Sequence, residues 1–150
     1  MFQSNLDDQL AALRPSGLVK AAAVAIGFSG GVLLLGGVQL LIAVRLPSKL
    51  IVVPYAMALI GLLCFVVALK IYRLRPWAPI AGMLLSVLIC IAMGLWFLFS
   101  SARGFISLLA LGSPLCSAIA AVLSAFAIGP ARQAAATRAR LAKDGLDVDF

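Results

Sequence analysis

The sequence predicts an all-α integral membrane protein, a four-transmembrane-helix bundle of two antiparallel hairpins, and three observations carry that prediction. Of its 150 residues, 64% are hydrophobic and only 11% charged. Soluble domains hold about 45–50% apolar and about 25% charged residues, so a chain this short lacks the polarity to cover a core in water. The second observation is four uncharged runs: Ala21–Val44 (24 residues), Leu50–Leu69 (20), Pro76–Ala102 (27) and Gly104–Ala131 (28). Each meets the requirement of about 20 apolar residues for a helix to cross about 30 Å of hydrocarbon. The third is the absence of short segments of alternating polarity, the signature of barrel strands.

Before the first run, "SNLDDQLAALRP" reads as a short amphipathic helix in a cytoplasmic segment, residues 1–16. Ser4 is its cap, Asp7 stands three residues on, and Phe2, Leu6, Leu10 and Leu13 share one face. Pro15 ends it, and a place at the membrane surface or against a partner is expected.

The membrane domain is expected over residues 17–130, with spans at about 19–44, 50–70, 76–101 and 105–129. The first apolar run exceeds the 7–15 residues of a signal-peptide core and lacks a small-x-small cleavage site, so it reads as a retained helix. It carries "GFSGGVLLLGG", with Gly27, Gly30, Gly31, Gly36 and Gly37. Gly27 and Gly31 make a GxxxG, the spacing that lets two helices approach closely in lipid, within the bundle or with another subunit. No strand precedes these glycines and no lysine follows, so a nucleotide loop is excluded.

"KIYRLRPWAP" (Lys70–Pro79) separates the second and third runs. Lys70, Arg73 and Arg75 read as headgroup anchors, Tyr72 and Trp77 as interfacial rings, and Pro76 as the start of the third helix. A site for anionic lipid or a partner is the alternative reading of these cations. "RLPSK" (Arg45–Lys49) and "SSARG" (Ser100–Gly104) are the opposite, very short loops.

The fourth run is rich in small residues, with Ser113, Ser117 and Ser124 on one face, read as a helix-packing seam. Pro114 is expected to kink this helix or to mark its start. "ARQAAATRARLAK" (Ala131–Lys143) then forms a basic C-terminal helix within a cytoplasmic tail, residues 131–150, with Gly145 as a stop. Arg132 is its first anchor, and "GLDVDF" reads as a disordered end or an extended peptide for a partner.

Four crossings place both termini on one side. That side holds nine cations (Arg14, Lys20, Lys70, Arg73, Arg75, Arg132, Arg138, Arg140 and Lys143) against three (Arg45, Lys49 and Arg103) opposite. Excess Lys/Arg marks the cytoplasmic face. The net charge of +7 therefore reports orientation, and no nucleic-acid partner is inferred.

There is no histidine and no glutamate, and the five aspartates occupy the chain ends. No acid–base pair, metal set or cofactor site can be assembled in the membrane from such an inventory, so no enzyme is expected. No ionisable group lies mid-span where a proton path would need one. Gln39, six residues before Arg45, reads as a shallow hydrogen-bonding group toward another helix, with substrate contact in a transport path as the alternative. Cys64, Cys90 and Cys116 read as packing residues, the last two at equal depth on adjacent helices. The expectation is a non-catalytic structural or accessory subunit of a larger complex in the bacterial inner membrane, its partners lipids and other subunits. The alternative is a small homo-oligomeric channel or transporter with a serine-lined path.

Overall fold

The computed structural model describes residues 11, 13–43, 52–99 and 105–143, with side chains for 11, 13–42, 52–95 and 114–143. These residues form four helices and no strand: α1 (Gly17–Ala43), α2 (Val52–Tyr72), α3 (Ala78–Phe99) and α4 (Phe105–Lys143). All four are long and apolar enough to cross a membrane. Residues 1–10 and 12 of the amphipathic segment expected near the N-terminus, both short outer loops, Gly145 and the last residues lie outside the described residues; Leu13 of that segment is buried.

Ser16 caps α1: its hydroxyl accepts from Val19 N–H at 3.4 Å and its carbonyl from Lys20 N–H at 3.0 Å. The buried face of α1 then steps by three and four residues through Val19, Ala22, Ala23, Ile26, Gly30, Leu33 and Gly37. Helix α2 answers with Pro54, Gly61, Cys64, Ala68 and Ile71. Pro54 falls in its first turn, where no intrahelical donor is lost.

The two helices touch at their backbones. A Cβ on Gly30 would stand 2.7 Å from the Gly61 carbonyl oxygen, and one on Gly37 would stand 2.8 Å from that of Pro54. Numbers rise along α1 as they fall along α2. Packing continues from α1 to α4 and from α4 to α3, while α2 and α3 share the least contact of the neighbouring pairs.

α2 ends in a Schellman turn. Arg75 N–H donates to the Lys70 carbonyl at 3.1 Å and Leu74 N–H to that of Ile71 at 2.8 Å. Leu74 holds the left-handed residue of the turn, at φ 54°. Glycine is usual there, and leucine costs about 1–2 kcal/mol. Its side chain is 2% exposed, and that burial offsets the strain. Pro76 therefore lies in the turn, and α3 begins at Ala78 rather than at the proline. The Trp77 carbonyl accepts its early bond from Ala81.

α4 differs most from expectation. The fourth span and the basic tail are not two helices among the described residues but one, 39 residues long. Pro114 and Pro130 lie inside it. Pro130 removes one helical donor, and the alanine-rich stretch after it keeps propagation favourable. At 1.5 Å per residue α4 extends about 58 Å, nearly twice the hydrocarbon thickness. Its buried residues, Ser117, Ala120, Ser124, Ala127, Ala131, Ala134 and Leu141, keep one stripe across Pro130.

Candidate functional site

Two features concentrate the polar chemistry of the described residues: the serine-bearing interior and the basic turn between α2 and α3. In the interior, Ser29 of α1, Ser86 of α3 and Ser117 and Ser124 of α4 are all buried. Ser124 Oγ donates to the Ala120 carbonyl at 2.6 Å, the bond by which a helical serine satisfies itself. Ser29 Oγ and Ser117 Oγ are buried with no hydrogen-bond partner among the described residues. A Cβ on Gly82 would stand 2.6 Å from Ile26 Cδ1, 3.0 Å from Ile71 Cδ1 and 3.4 Å from Ser124 Oγ. Four helices thus converge around Gly82, which admits bulk from α1 and α2 because it brings none.

The expected seam residues take distinct places. Gly30 and Gly37 stand at the α1–α2 backbone contact, and a Cβ on Gly36 would stand 3.2 Å from Met57 Cε. At Gly27 and Gly31, the GxxxG pair, an added Cβ would meet Phe65 and, at Gly27, Ala68 at ordinary distances of 3.9–4.0 Å. Ser117 and Ser124 lie in the interior, and Ser113 belongs to α4 outside the described side chains. Gly61 and Gly82, which make close approaches, were not singled out from the sequence. A lone glycine in an apolar run was their only signal. Gln39 is exposed on α1, Cys64 is buried opposite Gly30, and all three cysteines are free thiols.

At the turn, Arg73, Arg75 and Trp77 are exposed and Lys70 is half-buried. Arg132 lies on the exposed side of α4. The residue that organises this end is Arg138. Its Nη1 donates to the Leu74 carbonyl at 3.2 Å and its Nη2 to the Arg73 carbonyl at 3.0 Å. One planar guanidinium thus takes two carbonyls of the turn that closes α2, at the end where the helix dipole favours a cation. The fork ties the extension of α4 to a turn 64 and 65 residues away. A signal for it existed: continuing the three-four spacing from Ser117 and Ser124 through Ala127, Ala131 and Ala134 arrives at position 138.

Between α2 and α3, beside this turn, lies an open groove of about 350 Å³ lined by Leu63, Val66 and Val67 on one wall and Trp77, Ala81, Leu84, Leu85 and Leu88 on the other.

No protein-family model matches this chain, and no curated protein or solved structure is similar to it.

Proposed function

We propose that the chain is a non-catalytic structural or accessory subunit of a larger membrane protein complex, acting through helix packing and through contacts of its cytoplasmic end. Two antiparallel hairpins stand in the bilayer in this reading, with both termini on the cytoplasmic side of a bacterial inner membrane. The observation that carries it is α4: one continuous helix about twice as long as a bilayer crossing requires. Its basic end, clasped to the turn by Arg138, offers a rigid surface beyond the headgroups. The bundle interior supports the same reading. It is filled by small and aliphatic side chains with no Asp, Glu, Lys or Arg among the buried residues described, which suits packing better than turnover. Large apolar side chains on every described span, such as Phe28, Leu59, Leu84 and Phe126, face outward, where lipid or neighbouring helices would cover them.

Native mass spectrometry of material extracted gently from its own membrane tests the proposal. Different chains at a fixed ratio are expected. Recovery of this chain alone in every mild detergent would refute it.

A homo-oligomeric channel or transporter is the second reading. Ser29 and Ser117 favour it, because buried hydroxyls without partners are costly unless something polar visits them. Its path would run past Ser86, Ser117 and Ser124. Purified protein in liposomes should then conduct a small solute, and conduction should fall in a Ser117→Ala variant.

A further inference from the structure

The groove between α2 and α3 is apolar, and its walls are aliphatic apart from the Trp77 indole. Its long wall runs from Trp77 to Leu88, eleven residues, or about 16 Å at 1.5 Å per residue. That is about half of the 30 Å hydrocarbon layer, the depth of one leaflet. A transmembrane helix of another subunit would need a seam through both leaflets. An acyl chain needs one.

The chain that joins the two walls of the groove carries three cations, Lys70, Arg73 and Arg75. Val66 and Val67 line the wall on α2, and Lys70 lies four and three residues beyond them, so it continues the same stripe. Arg73 is three residues further along, and Arg75 precedes Trp77 by two. The Schellman turn fixes the backbone that carries both arginines. No carboxylate stands among the described residues, since the sequence has none between Asp8 and Asp144. The three cations therefore have no internal anion there to neutralise them. The small side chain of Ala81 keeps the groove open midway along its long wall.

We propose that this groove is a binding site for an anionic phospholipid, with an acyl chain lying along Ala81, Leu84 and Leu88 and the phosphate held by Lys70, Arg73 and Arg75. The cations supply preference for a negative headgroup, and the groove restricts the lipid to one place on the bundle. The site requires only that the chain lie in a bilayer. Its failure would leave the subunit reading standing, and failure of that reading would leave the site.

The test uses the full chain carrying Trp96→Phe, so that Trp77 is the sole tryptophan and is excited selectively over Tyr55 and Tyr72, in phosphatidylcholine vesicles. Phosphatidylglycerol with brominated chains should quench Trp77 well beyond its share of the lipid, and brominated phosphatidylcholine should quench only in proportion. Lys70→Gln, Arg73→Gln and Arg75→Gln should each weaken the preference about fivefold, from about 1 kcal/mol per juxtamembrane cation. Ala81→Phe should remove the excess quenching with all three cations intact. Glycerol phosphate, the headgroup chemistry without chains, should not displace the lipid. Equal quenching by both brominated lipids would overturn the proposal. So would a preference unchanged by the glutamine variants, displacement by glycerol phosphate, or a folded Ala81→Phe variant that still prefers the anionic lipid.

Discussion

Replacing Gly30 with alanine puts a methyl group 2.7 Å from both the Gly61 carbonyl oxygen and Cys64 Cβ. Non-bonded carbon contacts settle near 3.5–4.0 Å, so α1 and α2 must part by about 1 Å. The obstacle is backbone on the far side as well, since a Cβ on Gly61 would stand 2.7 Å from the Gly30 carbonyl oxygen. No rotamer change relieves it. Overpacking of this kind costs about 1–3 kcal/mol. Alanine returns about 0.5–1 kcal/mol of helix preference over glycine. The clash prevails, and Gly30→Ala should destabilise by about 1–2 kcal/mol. Gly31→Ala is the matched control. Its methyl meets only Phe65 Cζ at 3.9 Å, so the helix preference stands alone and the variant should gain about 0.5–1 kcal/mol. Thermal unfolding of both proteins in one detergent, followed by circular dichroism, reads the difference. With about 2–4 °C per kcal/mol for a chain near this size, the two Tm values should separate by at least about 3 °C, Gly31→Ala higher. Equal Tm values, or the reverse order, would refute the argument that α1 and α2 touch at Gly30 and Gly61.

Arg138→Gln should cost about 1–2 kcal/mol, because two charge-assisted bonds are lost at a partly exposed site. Hydrogen exchange should quicken at the amides of residues 73–75 before the bundle opens, and Arg138→Lys should not restore protection, having no fork. Leu74→Gly relieves about 1–2 kcal/mol of left-handed strain but deletes a side chain 2% exposed, a loss of about 2–5 kcal/mol. A lowered Tm is expected, and a raised one would show that the turn, not the packing, limits this end. Ser29→Ala and Ser117→Ala each remove a buried hydroxyl without a partner. Each should leave Tm unchanged or raise it by the equivalent of about 1 kcal/mol, and a marked fall would reveal a polar partner for that serine.

The membrane class was legible because uncharged length is a one-dimensional property, and the four expected spans became four helices, with ends displaced by no more than about two residues for the first three. The end of α4 was not legible in the same way. The return of charge at Arg132 reads as an edge of hydrocarbon, and Pro130 resembles a stop, yet neither ends a helix whose next residues are strong helix formers. Glycine counting marks several positions on α1 without saying which of them another backbone meets. A GxxxG spacing names a groove, while the partner's backbone decides which glycine is filled, and here Gly61 lies across from Gly30. Gly82 and Ser29 matter through neighbours on other helices, information that no local spacing holds. Arg138 read as one cation of nine. Its two carbonyl partners exist only because Leu74 turns the chain left-handed at the end of α2.

The unbroken course of α4 makes the direction in which its basic end points a question of phase. Each residue turns a helix by about 100°, so one residue inserted after Gly129 would swing position 138 by that angle and carry its guanidinium off the turn. Four inserted residues would overshoot a full revolution by only about 40° while pushing it about 6 Å further along the axis. Insertions in the apolar half and in the basic half are therefore not independent. Length added anywhere between Ser117 and Arg138 is felt as rotation at the clasp, which makes the spacing from the bundle interior to Arg138 as specific as the residues themselves.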